Sequence, residues 1–278
     1  MTNSVHTNIS AAIALQNLTR TNDRLGEVQG RISTGLKVQG AKDNAAIWAI
    51  AQGQRADVGA LSAVKQSLDR ATSIADVALS AGESVSDLLN QLKEKVVAAK
   101  DPSLKTQSRQ LLDADFKALL KAIATQVSNA EFDGGNLLNG SLTSGIKFLA
   151  NGDATSFITL SSKNLSLGGA IVELTLSDSL LSLTGATQAL TRLDDSITQL
   201  NGALGAIGAE AKQIQAHNTF VTKLIDTLDS GIGNLVDADL AKESARLQAL
   251  QVQQQLGAQS LSIANQAPQI ILSLFRGG

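Results

Sequence analysis

Between Leu190 and Leu235 apolar residues return in alternating steps of three and four: Leu190, Leu193, Ile197, Leu200, Leu204, Ile207, Ala211, Ile214, Val221, Ile225, Leu228, Ile232 and Leu235, with Asn218 filling one position of the series. A mean step of 3.5 residues keeps one narrow stripe facing a partner helix, so the pattern specifies a coiled-coil seam over Leu193, Ile197, Leu200, Leu204, Ile207, Ile214, Val221, Ile225 and Leu228. Asn218 either fixes register at some cost in stability or sits at a solvated edge, and spacing leaves both open. Gly202, Gly205 and Gly208 lie between seam residues, which predicts close approach of a neighbouring backbone.

The rest of the chain is built for the same kind of packing. Apolar residues make up 43% of it but aromatics only 3%, so burial has to come from Leu, Ile, Val and Ala at close helix contacts. Pro102 and Pro268 are the only prolines, which leaves long stretches with nothing to break a helix. A segment from Asn44 to Ala99 carries Val58, Leu61, Leu68, Ala75, Ala78, Val85, Leu89, Leu92 and Val96 on one face, and would extend about 80 Å unbroken. Asp101-Pro102-Ser103 stops it, and a third helix from Leu104 carries Leu111, Leu112, Phe116, Leu119, Leu120, Ile123 and Val127. From Phe132 to Thr187 the turn signals Asp133-Gly134-Gly135-Asn136, Asn139-Gly140, Asn151-Gly152-Asp153 and Gly168-Gly169 separate short runs such as Ile146–Leu149 and Phe157–Leu160. The expected fold is therefore mostly α: long antiparallel helices at about 44–100, 104–129 and 188–235 packed as a rod, a small β-hairpin region at 132–187, and paired terminal helices.

Both ends are amphipathic. Ile9, Leu18, Leu25, Val28, Ile32 and Leu36 form an N-terminal stripe; Leu240, Leu247, Val252, Leu256, Ile263, Ile270 and Leu274 form a C-terminal one, with Gln-rich polar faces behind it. Neither helix buries its stripe alone, so both are expected to order fully on assembly with other copies, where intermolecular burial offsets the entropy of ordering. Ser33 to Asn44, with Gly35 and Gly40, reads as a linker that lets the first helix reorient. Asp237 and Asp239 before Leu240 are N-cap or first-turn acids, favourable at a helix N-terminus.

Several function classes find no support. Net charge is −2 and neither sign forms a run, so neither nucleic acid nor an anionic membrane is an expected partner. There is no cysteine, which excludes disulfides and thiolate metal sites. Residues 1–10 lack a basic start and an apolar stretch, and no window approaches about 18 continuous apolar residues, so neither a cleaved signal peptide nor membrane insertion is expected. His6 and His217 have no ligand-spaced neighbours, and no phosphate loop, dinucleotide fingerprint or nucleophile elbow appears. No catalytic residue, metal or cofactor is predicted.

Thr7-Asn8-Ile9-Ser10, Arg31-Ile32-Ser33-Thr34-Gly35-Leu36-Lys37-Val38 with Ala41-Lys42-Asp43-Asn44-Ala45-Ala46, Val236-Asp237-Ala238-Asp239-Leu240-Ala241-Lys242-Glu243, and Gln259 to Gln269 resemble, in order and separation, the two terminal signatures of bacterial flagellin. The resemblance implies an inner coiled-coil domain of residues 1–36 and 237–278, a linker at 37–43 and a rod domain at 44–236, in a minimal subunit without further outer domains. It also implies a filament subunit serving swimming motility, exported unfolded through the flagellar type III apparatus with an export chaperone. Assembly at the distal tip would involve cap and hook-filament junction proteins, in the extracellular space, with other copies as main partners. Such filaments are often O-glycosylated, which makes exposed Ser and Thr of 141–187 candidates. The sequence departs from familiar members at Ile47-Trp48, where Trp48 is expected to be core, and at Leu240. Leu89, Gln91, Lys93 and Glu94 align with the segment that the innate immune receptor for flagellin reads in enteric species. Gln91 stands there where an arginine is expected, which implies weak recognition, because glutamine cannot reproduce a guanidinium fork. A hook-filament junction protein and a cytosolic coiled-coil scaffold are the rival readings, distinguished by whether monomers add indefinitely to seeds.

Overall fold

The computed structural model describes residues 7–276, with side chains through residue 266. Five helices and one hairpin follow in order: α1 (Ile9–Thr34), α2 (Ala45–Ala99), α3 (Thr106–Asn129), β1 (Ile146–Leu149), β2 (Phe157–Leu160), α4 (Leu183–Val236) and α5 (Leu240–Arg276). The chain divides into two compact units, residues 57–226 and residues 1–56 with 227–278.

In the first of these units the helices run antiparallel, as their cross-links show. Lys93 pairs with Asp194 at 2.8 Å, Gly82 faces Leu204, and Asn218 Nδ2 donates to Asp69 Oδ1 at 2.6 Å, so α4 numbers fall as α2 numbers rise. Lys95 with Asp115 and Arg109 with the Ala99 carbonyl do the same for α2 and α3. The shared core contains Leu68, Ile74, Val85, Leu89, Leu92 and Val96 of α2, Phe116, Leu120 and Ile123 of α3, and Leu193, Leu200, Ile207, Ile214 and Val221 of α4. On α4 the buried face is turned slightly from the predicted seam: Ser196 and Ala203 are buried, whereas Ile197, Leu204, Ile225 and Leu228 are half-buried. The small side chains let α4 lie close, and the Ser196 hydroxyl is satisfied twice, donating to the Arg192 carbonyl at 2.6 Å and accepting from Glu173 N at 3.0 Å. Leu111, expected inside, is 66% exposed.

The expectation for Gly202, Gly205 and Gly208 is not met within the chain: beyond the adjoining backbone of α4 itself, no atom lies within 4 Å of where a Cβ would stand. The close approach falls at Gly82, where a Cβ would meet Leu204 Cδ2 at 2.3 Å. Periodicity marks glycines on a helix; only packing decides which of them face a neighbour.

α2 ends where Asp101 Oδ1 accepts from the Ser103 N–H and hydroxyl, and the buried Arg109 guanidinium caps its C-terminal carbonyls, reaching Ala99 O at 2.5 Å and Asp101 O at 2.7 Å. The hydrogen bonds from Ser103 hold the Asp101 carboxyl below the ordinary carboxylate range. β1 and β2 form an antiparallel pair with Phe148 opposite Ile158. The remainder of 132–182 forms no further named strand; it is irregular chain packed by Leu137, Leu138, Leu165, Val172, Leu174 and Leu180, all fully buried. Side chains from the helices fasten it. His217 Nε2 donates to the Ala150 carbonyl at 2.7 Å, and the Glu210 carboxylate accepts from both the N–H and the hydroxyl of Ser161 at 2.7 Å. Asp113 accepts from Leu180 N at 2.7 Å and from Lys117 Nζ at 2.8 Å. Asn218 is half-buried and, with Asp69, belongs to a polar α2–α4 link; its Oδ1 has no partner.

Burial is the largest influence on Asp113 and pushes its pKa up, but the bonds from Lys117, Leu180 and Ser179 outweigh it and leave the carboxyl below its ordinary value. A depressed carboxylate stabilises the fold above its unfolded pKa of about 4, and that contribution is lost as pH falls through the lower folded value. Asp113→Ala should therefore cost about 1–3 kcal/mol at neutral pH by orphaning the buried Leu180 N–H. Its deficit in thermal or urea unfolding should narrow below about pH 4; a pH-independent deficit would contradict the assignment. A second contrast concerns glycine. Gly145 has φ +71° and a Cβ there would lie 2.3 Å from the Leu160 carbonyl oxygen, whereas Gly202 is exposed in mid-helix. Gly145→Ala should lower stability by about 1–3 kcal/mol, and Gly202→Ala should raise it by about 0.5–1 kcal/mol, both read by circular-dichroism melting.

Candidate assembly interface

The unit of residues 1–56 and 227–278 is built on the α1–α5 pair. Asn8 begins α1 as its N-cap, its Oδ1 accepting from Ala11 N at 3.0 Å, while its Nδ2 donates to the Ala264 carbonyl at 2.7 Å. Further along, Leu18 lies against Gly257, Asn22 Oδ1 accepts from Gln254 Nε2 at 2.8 Å, and Arg31 reaches Glu243 at 3.5 Å. α5 numbers fall as α1 numbers rise, so the terminal helices are antiparallel and paired along nearly all of α1. Gly257 allows the contact, because a Cβ there would come within 3.3 Å of Leu18 Cδ1.

The segment read as a linker is clasped by backbone hydrogen bonds. Gly35 closes α1 in the left-handed conformation at φ 73°, its N–H bonded to the Arg31 carbonyl. Lys37 N donates to the Val236 carbonyl at 2.8 Å, and Ala238 N donates to the Gly35 carbonyl at 2.8 Å, so Leu36 and Asp237 face each other across an antiparallel bridge. Val38 is buried, and Asp43 Oδ2 accepts from Gln39 N and Gly40 N at 2.8 and 3.3 Å. The glycines shape this turn; backbone hydrogen bonds to the break between α4 and α5 hold it. Asp239 caps α5 through Lys242 N at 3.1 Å, whereas Asp237 contributes its backbone to the bridge. Trp48 is half-buried, not core.

The pairing sorts the predicted apolar residues into two groups. Val28 is buried, and Leu18, Leu25, Ile32, Leu36 and Leu247 are half-buried. Ile9, Leu240, Val252, Leu256 and Ile263 point outward, 50–63% exposed, as does Ile13 at 54%. The side chains of Ile270 and Leu274 lie outside the described residues. The α5 face that meets α1 runs through Leu247, Leu250, Gln254, Gly257, Leu261 and Ala264, of which sequence reading named only Leu247. Its three-and-four spacing was a usable signal, but Gln254 and Gly257 interrupt the hydrophobicity that normally marks a seam.

The polar part of this pair centres on Glu243. It is 6% exposed; its Oε1 receives Arg31 at 3.5 Å and Arg246 at 3.2 Å, while Oε2 is buried with no hydrogen-bond partner. Arg24, Glu27, Val28, Arg31, Arg246, Ala249, Leu250 and Gln253 line a cleft of about 450 Å³ beside it. In the other unit, Leu89 is fully buried, Gln91 and Glu94 are exposed, and exposed Lys93 pairs with Asp194. Among the described residues no cluster of His, Cys, Asp or Glu is suited to a metal, and no helix is long and apolar enough to cross a membrane.

Comparison with known proteins fits this arrangement. Residues 5–143 match the model of the bacterial flagellin N-terminal helical region, and residues 190–275 that of the C-terminal helical region. The chain is 56% identical over 277 residues to flagellin FljJ of Caulobacter vibrioides, covering 99% of both chains. It is 38% identical to a flagellin of Brucella melitensis, again over 99% of each. A solved structure titled as a putative flagellar hook-associated protein from Vibrio parahaemolyticus superposes with a TM-score of 0.54 at 14% identity, covering 70% of this chain and 100% of that one, which is a likeness of fold alone.

Proposed function

This chain belongs to the bacterial flagellin family, and from that premise we propose how it assembles. It is a structural subunit of the flagellar filament and not an enzyme, and its part in motility follows from the family. The observation that carries the proposal is the outward apolar set left by the α1–α5 pair: Ile9, Ile13, Leu240, Val252, Leu256 and Ile263. Withdrawing such side chains from water favours association by about 1.5–3 kcal/mol each, and repetition along two helices makes a continuous contact with neighbouring copies. Leu18, Leu25, Val28, Ile32 and Leu247 serve assembly indirectly, by holding the two helices in the pair that presents this surface. Ile270 and Leu274 continue the apolar spacing of the sequence. The subunit is exported unfolded and adds outside the cell at the growing tip, with cap and hook-filament junction proteins as further partners. The absence of disulfides and the local, helical character of most of the fold suit such refolding.

Leu256→Asp with Ile263→Asp should abolish elongation of filament seeds, seen by negative-stain electron microscopy, while leaving the monomer's melting curve within about 0.5 kcal/mol of wild type. A truncation lacking Ala241 to Gly278 should likewise form no filaments. Long filaments from either variant would sink the proposal. The segment containing Gln91, Lys93 and Glu94 adds a second expectation: soluble monomer should activate cells bearing the innate immune receptor for flagellin weakly, since Gln91 is exposed but offers no guanidinium fork. Activation at the potency of an enteric flagellin would refute it.

A further inference from the structure

The polar face of α5 is not explained by apolar contact. At about 100° per residue, Gln248, Gln251, Gln255 and Gln259 fall in one row on the side of α5 turned away from α1, and all four are exposed. Each ends in a primary carboxamide, which offers two N–H donors and a carbonyl acceptor. The cleft beside Glu243 is lined by three arginines, Arg24, Arg31 and Arg246, together with Glu27 and Gln253. Arg24 and Arg246 bring guanidinium donors to it, and both Arg31 and Arg246 converge on Glu243 Oε1. Glu243 Oε2 is left as a buried anionic acceptor with nothing to accept from. An unpaired carboxylate oxygen out of water is costly, and a buried carboxylate so placed is strongly stabilised by any N–H that reaches it.

We propose that in the filament this cleft is an interaction surface for a second copy of the chain, whose α5 glutamine row supplies a carboxamide to Glu243 and its arginines. The inference rests on the polymer reading above and names one polar contact within it. A second copy is the fitting occupant because it brings the complementary groups itself, and because the cleft's α5 wall, Ala249 and Gln253, lies on the helix between the α1-facing side and the exposed Val252, Leu256 and Ile263. Access requires one local change. Arg246, whose side chain is 51% exposed, swings from Glu243 Oε1 to the incoming amide carbonyl, the amide N–H₂ donates to Oε2, and Arg31 stays on Oε1. Oε2 then has the donor that it lacks in the free chain. The apolar stripe supplies most of the contact area, and this polar match fixes the register in which neighbouring copies meet.

The test is seeded polymerisation of full-length protein, read as critical concentration by sedimentation. Glu243→Gln replaces the orphan acceptor by a donor at constant shape; Gln251→Ala with Gln255→Ala removes the central carboxamides from an exposed face. Each should raise the critical concentration about tenfold or more, and the combined variant should be no worse than the weaker parent, because both remove the same bond. The row variant should melt like wild type as a monomer, so its effect stands even where Glu243→Gln also weakens the free chain. Unchanged critical concentrations, or effects of the two changes that multiply, would overturn the proposal while leaving the polymer reading intact. Failure of wild type itself to elongate seeds would overturn both.

Discussion

Everything about the terminal unit depends on the antiparallel contact between α1 and α5. A helix has one circumference, and α5 carries apolar residues over too much of it for a single partner. Leu247, Leu250, Leu261 and Ala264 turn toward α1, with Gly257 admitting Leu18, and this commitment leaves Val252, Leu256 and Ile263 in water. The intrachain pair thus selects the outward surface: rotating α5 by half a turn would bury the stripe and present Leu250 instead. The bridge between Leu36 and Asp237 and the hydrogen bonds around Val236 hold that rotation at the end of the pair.

The unit of residues 57–226 depends on a different economy. With few aromatics, its three helices pack through leucine, valine and alanine, and close approach is possible only at small residues such as Gly82, Ser196 and Ala203. The long irregular stretch between β2 and α4 belongs to no named strand, and scattered backbone bonds such as Lys163 N to the Leu137 carbonyl and Leu165 N to the Leu138 carbonyl satisfy part of it. Carboxylates on the helices add to these, Asp113 taking the Leu180 N–H and Glu210 the Ser161 N–H, while the His217 imidazole takes the Ala150 carbonyl in the loop between β1 and β2. Charge on α3 and α4 therefore has a role inside the fold, and the depressed pKa of Asp113 is its signature.

Much of this was legible in the sequence. Two prolines and sustained three-and-four spacing gave five helices and nearly their boundaries, and the turn signals around Ile146–Leu149 and Phe157–Leu160 gave the hairpin. Spacing was less informative wherever two faces of one helix were both apolar or a small residue did the packing. Gly202, Gly205 and Gly208 look like a contact stripe and touch nothing in the chain beyond α4 itself, while Gly82 and Gly257, unremarked, sit against leucines. Leu111 continues the α3 pattern yet stays in water.

By itself the sequence determined the helices, the hairpin and, through the two terminal signatures, the family, because periodicity and local turn chemistry act over a few residues and are written in order along the chain. Tertiary structure decided which apolar residues remain outside, that the segment after α1 is clasped, and that Glu243 is buried with one oxygen unpaired. Those outcomes depend on groups more than 200 positions apart in the chain, such as Arg31 and Glu243 or Asn8 and Ala264, whose meeting is set by the antiparallel docking of whole helices and by no local pattern.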